Sequence, residues 1–294
     1  MPADQRPGDP FARPTARTVA TGSLQRRSAA RTAVVWDALR AVLDVQEPGR
    51  PASVVDIGGG TGGFAVRAAE LGHRVVVIDP SPDALATLAR RAEESGVADR
   101  VTGHQGDLDS LDSIIDLVHL VSEGTGTGIG SGQGADVVLC HGVLEIVEDP
   151  ATALAALARV LRPGGTLSLL VNQRHAAVVA RAMAGHFQQA RALLDAARLP
   201  LRSTSDGPDP WTGEPSGLGQ RRFTAEEIRE ALTQAGLDIQ AMHAVRVFVD
   251  LVPSSTVDLE PGAVQALVEL ERAVATRPEY LLLGTQIHTL STRR

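Results

Sequence analysis

The stretch Val54–Gly63 reads VVDIGGGTGG, a short apolar run that breaks into five glycines. An apolar run closed by glycine predicts a buried strand entering a tight turn. The segment that follows, GFAVRAAELG at 63–72, has helical spacing and a glycine stop. Strand, glycine loop and helix in that order let bare backbone approach a ligand closely. The glycines fit two spacings at once. Gly58, Gly60 and Gly63 give the dinucleotide form G-x-G-x-x-G. Gly58, Gly60 and Gly62 give the form G-x-G-x-G, common in methyl-donor sites. The glycines alone do not choose between them.

Working outward, strand and helix signals alternate. RVVVIDPS at 74–81 predicts a second strand, and Pro82 to Ser95 a helix. RVTGHQGDL at 100–108 is a weaker third strand, and ADVVLCHG at 135–142 a fourth. A helix over 151–165 leads to a fifth strand, TLSLLVN, at 166–172. Later come a helix TAEEIREALTQAG at 224–236, a strand-like MHAVRVFVDLV at 242–252, a helix over 261–277 and a last strand QIHTLST at 286–292. This alternation predicts an α/β fold, a doubly wound, mostly parallel seven-stranded sheet. Before it, residues 1–22 lack periodicity and read as a disordered tail, with helical spacing from Ser23. Residues 23–294 then form one domain. Two stretches interrupt it. The Gly-rich segment 122–134 reads as a flexible surface loop, and residues 175–221, after the fifth strand, as a substrate lid.

Composition narrows the chemistry. Hydrophobic residues make up 43% of 294, enough for a large core, but aromatics are only 3%, so Ala, Leu and Val must build it. All 28 basic residues are arginine, which excludes a lysine-based mechanism. The net charge of −7 argues against a general nucleic-acid coat. A single cysteine, Cys140, excludes an internal disulfide and multi-cysteine zinc sites. It reads as inert packing. No apolar run approaches ~20 residues and the first residues lack a secretory pattern, so no membrane contact is expected and the cytoplasm is the default. No carboxylate cluster suggests a metal.

Further residues favour a methyl donor over a dinucleotide. Asp79, at the end of the second strand, suits a ribose diol, which both cofactors carry. Asp56, two residues before Gly58, would repel a pyrophosphate but face a cationic amino group. Asp107 and Leu108, in GDL, suit an adenine edge. With HGVLEIVEDP at 141–150 and LRPGG at 161–165, this order resembles the class I S-adenosylmethionine-dependent methyltransferases over about 54–170. The rest of the chain resembles one branch, the tRNA 5-carboxymethoxyuridine methyltransferases. The likeness runs through ARTAVVWDAL at 30–39, HAAVVARAMAGHF at 175–187, VRVFVDLV at 245–252 and the segment 266–288.

That resemblance implies S-adenosyl-L-methionine as cofactor, held by Arg31, Gly58, Gly59, Asp79, Asp107, Leu108 and His141; Asp56 and Gly60 join them from the loop itself. It implies esterification of a carboxylate on a modified tRNA wobble uridine. Such an acceptor is ionised at pH 7 and needs orientation more than a base. Arg221 and Arg246 are the candidates to orient it, with His175 a third, and His141 would be the base if the acceptor were a hydroxyl. Arg246, in a strand pattern, reads first as a surface or buried ion-pairing residue, and Arg221, with Arg222, reads equally as a solvated charge before a helix. His243 and His288 read as structural, Trp36 as core, and Glu145 as a local cap or pair. The segment 206–220, DGPDPWTGEPSGLGQ, lacks the basic run that members of the branch can carry near the lid. A small-molecule carboxyl or hydroxyl acceptor therefore stands beside tRNA, and a non-catalytic donor-binding module is the reading of another class.

Overall fold

A computed structural model describes residues 16–45, 50–106, 134–195, 221–253 and 262–294, with the side chains of 16–28 and 195 left aside. Seven strands form one sheet: β1 (Ser53–Ile57), β2 (Arg74–Asp79), β3 (Val101–Gln105), β4 (Ala135–His141), β5 (Leu161–Asn172), β6 (Leu237–Val245) and β7 (Gln286–Arg293). Their spatial order is β3-β2-β1-β4-β5-β7-β6. Neighbours are parallel except for β7, which runs antiparallel to both β5 and β6. The sheet is doubly wound and mostly parallel, as the alternation predicts. Six strands therefore end at one edge, where ligands bind in open α/β sheets.

Strands β1 and β4 are buried along nearly their whole length, which explains their continuous apolar runs. Helices cover both faces. On one lie α1 (Ala16–Asp44), α2 (Ala65–Glu70) and α3 (Pro82–Glu94), which pack Trp36, Leu39, Ala68 and Leu88 against Val54, Val77 and Leu139. On the other, α4 (Pro150–Val160) and α7 (Ala225–Gln234) pack Leu154, Leu157, Ile228 and Leu232 against Val138, Leu167 and Leu169. Between them in sequence come α5 (Arg174–Met183) and α6 (Phe187–Asp195); α8 (Ala263–Val274) and α9 (Pro278–Leu281) follow β6. Helix starts carry their own signals. Asp149 accepts the Ala151 N–H at 2.9 Å, and Thr224 with Glu227 forms a reciprocal capping box. Trp36 is core, with the Arg67 guanidinium 3.8 Å over its ring. No helix among the described residues is long and apolar enough to cross a membrane.

Several boundaries differ from the sequence reading. Helix α4 ends at Val160 and β5 begins at Leu161, so LRPGG, expected to close the helix over 151–165, lies in the strand. Strand β6 begins at Leu237, ahead of the expected Met242. Helix α1 starts at Ala16, before Ser23. Its first turns have no apolar repeat, so periodicity cannot find them. The expected strand over 242–252 ends at Val245, because Arg246 takes φ 58 and turns the chain. The next three backbone N–H groups then leave the sheet for the buried Glu271 carboxylate, at 2.8–2.9 Å from Val247, Phe248 and Val249. Residues 122–133 of the Gly-rich loop and 196–220 of the expected lid lie outside the described residues; 175–183 falls in α5 and 187–195 in α6, with 184–186 between them.

Candidate active site

The glycine loop resolves its own spacing. Gly58, Gly60 and Gly62 all have positive φ, at 68°, 54° and 78°, and Gly63 does not. The G-x-G-x-G set is therefore the one the backbone requires. Space adds a second demand. A Cβ on Gly58 would lie 2.3 Å from Val143 Cγ2, on Gly59 2.5 Å from Asp56 Oδ2, and on Gly62 2.2 Å from Leu88 Cδ1. At Gly60 a Cβ would meet nothing nearer than 3.9 Å and at Gly63 nothing within 4 Å, so at Gly60 φ alone asks for glycine.

Two carboxyls support it from the strand ends. Asp79 is 8% exposed and binds on both sides, accepting the Gly60 N–H and the Ser81 N–H at 2.9 Å each. It joins the loop to the start of α3, which Ser81 caps. Asp56 is buried, and its Oδ2 has no hydrogen-bond partner among the described residues. Burial, with the nearby Asp79 charge second, pushes its carboxyl up to about 7. A cation brought to it would restore the charge and supply the missing partner. Gly106 donates to the Asp79 carbonyl at 3.3 Å, so the start of GDL reaches the same edge; Asp107 and Leu108 lie outside the described residues.

His141 ends β4 beside this loop. Its ring meets Phe64 edge-on, centroids 4.8 Å apart, and its Nε2 is 2.9 Å from Ser168 Oγ. Its Nδ1 is buried without a partner among the described residues, and burial lowers the ring to about 4. His141 is therefore neutral at pH 7. The loop after it carries Glu145, buried, which accepts the Asn172 N–H at 2.6 Å and so pins the loop to β5. Its Oε2 has no partner among the described residues, and burial pushes the carboxyl up to about 7. The pair is not the local one its sequence context suggests, because Asn172 lies 27 residues further on.

The arginines stand around the same edge. Arg221 joins the loop twice, donating its backbone N–H to the Glu145 carbonyl at 3.1 Å and a guanidinium N–H to the Glu148 carbonyl at 3.4 Å. Burial lowers its pKa. Arg246 follows β6, half-buried, and its carbonyl faces Thr285 at 3.4 Å. Arg31 forks onto Asp250 at 2.9 and 3.0 Å, and Asp250 also accepts from Thr285 Oγ1 at 3.3 Å. The carboxylate that Arg31 meets in this structure thus comes from the protein. His175 opens α5, its N–H bonded to Gln173 at 2.6 Å. Sequence reasoning missed Asp250, Ser168 and Phe64; only their partners' positions in space reveal them. Cys140 is fully buried with its thiol pushed up by burial, as expected of packing.

The edge therefore offers a glycine backbone, a bonded carboxylate, a buried acid with one oxygen unpartnered among the described residues, and a neutral imidazole. A family model described as "Methyltransferase domain" matches residues 55–167. The chain is 28% identical over 263 residues to the tRNA 5-carboxymethoxyuridine methyltransferase of Escherichia coli (strain K12), covering 90% of this chain and 88% of that one. It is 34% identical over 142 residues to a ubiquinone biosynthesis O-methyltransferase of Xanthomonas oryzae pv. oryzae, covering 48% and 52%. In fold it resembles the geranyl diphosphate C-methyltransferase of Streptomyces coelicolor A3(2), solved with Mg2+, geranyl diphosphate and S-adenosyl-L-homocysteine. The TM-score is 0.53 at 17% identity, over 98% of this chain and 86% of that one.

Proposed function

Given that this chain is an S-adenosylmethionine-dependent methyltransferase, we propose that the oxygen it methylates is a carboxylate on a modified wobble uridine of tRNA, in the cytoplasm. The observation that carries this reading is the length of the likeness to the Escherichia coli enzyme. It extends through 88% of that protein, beyond the shared donor-binding half.

The site residues take roles that fit. S-adenosylmethionine, when bound, supplies a methyl group already activated on a sulfonium. Asp56 faces its ammonium, and the Gly58–Gly60 backbone lies along the methionine portion. Asp79 takes the ribose hydroxyls, keeping lone pairs to spare beside its two backbone bonds. Asp107 and Leu108 frame the adenine, and Arg31 draws the donor carboxylate towards Asp250's side of the site. A carboxylate acceptor is its own nucleophile, so the protein's task is position. Arg221 and Arg246 bring it to the edge by charge, and neutral His141 meets it without protonating it.

The test is mass spectrometry of tRNA nucleosides from a strain lacking this gene. Loss of the uridine methyl ester is expected. Unchanged nucleosides would move the assignment to a small-molecule acceptor, which the net charge of −7 and the acidic 206–220 segment favour.

A further inference from the structure

Behind His141 three more polar side chains continue across the sheet. Ser168 Oγ lies 2.9 Å from His141 Nε2 and 2.8 Å from His288 Nε2. His288 Nδ1 lies 3.1 Å from His243 Nδ1. The four residues sit on β4, β5, β7 and β6, which are neighbours in that order. Register explains the alignment. His243 pairs directly with His288. Ser168 stands two residues from Leu170, the partner of His288, and Leu139, the partner of Ser168, stands two from His141. With a side-chain period of two, all four share one face. Ser168 and His288 are fully buried, and His243 is 9% exposed.

Burial lowers the basicity of all three histidines, so each is neutral at pH 7. A neutral imidazole has one N–H and one lone pair. Ser168 Oγ, fully buried, meets only His141 and His288 among the described residues, so its proton must go to one of them. With every bond made, the chain has two directions. In one, His243 Nδ1–H donates to His288 Nδ1, His288 Nε2–H to Ser168, and the Ser168 hydroxyl to His141 Nε2. His141 then carries its proton on Nδ1. In the other, every bond is reversed and His141 Nδ1 presents a lone pair. Ser168 alone could serve either tautomer by turning its hydroxyl. Tied to His288 and His243, it cannot turn without reversing the whole chain.

We propose that Ser168, His288 and His243 are positioning residues that hold His141 as its Nδ1–H tautomer, so that it offers a neutral donor to the methyl acceptor. The choice of direction rests on the carboxylate reading above: a carboxylate accepts only, and a lone pair would repel it. A neutral donor orients the nucleophile and leaves its charge available for attack.

The test is 15N NMR of histidine-labelled protein saturated with S-adenosylhomocysteine, which reads the protonated nitrogen of each ring without needing turnover. The expected pattern is Nδ1–H at His141, Nε2–H at His288 and Nδ1–H at His243. The reverse pattern, or a charged ring at pH 7, overturns the proposal. In Ser168→Ala, His141 is expected to exchange between tautomers, with donor affinity in calorimetry changed less than twofold. A wild-type tautomer in that variant overturns the coupling, and if it does not fold, the wild-type spectrum decides. The tRNA experiment is separate: the tautomer pattern can stand while the acceptor assignment falls, and the reverse.

Discussion

Asp56 and Asp79 close neighbouring strands, yet their chemistry diverges. Asp79 has both oxygens bonded to backbone N–H groups, whereas Asp56 is held near pH 7 by burial. The folded pKa of Asp56 lies above its ordinary 3.8, so the folded state binds the extra proton. Its contribution is present below about pH 4 and is lost as pH rises towards about 7. Glu145, also raised to about 7, acts in the same direction. Asp56→Asn is expected to flatten this slope, raising the urea midpoint at pH 8 relative to wild type. Donor binding to wild type at pH 7 should release about half a proton as the carboxyl ionises, seen by calorimetry in two buffers of different ionisation enthalpy. Asp56→Asn should abolish that release; persistent release would place the ammonium elsewhere. Asp79→Ala should weaken the donor about tenfold or more, since a charge-assisted hydrogen bond contributes roughly 1.5–3 kcal/mol. Both aspartates were legible in the sequence because they sit at fixed distances from the glycines. The pairing of Arg31 with Asp250 was not, because 219 residues separate them.

At the scale of elements, the end of β6 is the clearest departure from the sequence. VRVFVDLV alternates as a strand should, but alternation reports only which side chains are apolar. It does not report that a carboxylate from α8 takes three backbone donors. Glu271→Ala leaves those donors in a buried turn without an acceptor, and a loss of about 3 kcal/mol or more in chemical denaturation is expected. Glu271→Gln keeps the oxygen that serves Phe248 and Val249 and should cost less than half as much. Equal losses would mean that packing, not the hydrogen bonds, holds the turn. The glycine loop gives the complementary case. Its presence was legible, and its register needed the three positive φ values. The imidazole chain was hidden for another reason. His288 and His243 look like isolated strand residues until β7 is placed between β5 and β6.

For the whole molecule, the parallel strands bring the loop, the acids and the arginines to one edge from segments as distant as Arg31 and Arg246. Binding there should stabilise the folded state as a unit. At a hundredfold excess of S-adenosylmethionine over Kd, mass action gives about 2.7 kcal/mol, a rise of several degrees in melting temperature for a domain of this size. An unchanged transition would mean that the donor does not bind the native fold.

The position of β7 also governs the order of assembly. It is the seventh strand to be synthesised but the sixth in the sheet, with β5 on one side and β6 on the other. Until it arrives, β6 has no hydrogen-bonded neighbour among the described strands, and β5 exposes a bare edge open to other chains. The nascent protein therefore cannot finish its sheet from the amino end. Its last strand is a keystone, and the buried histidines close only when that strand slides in.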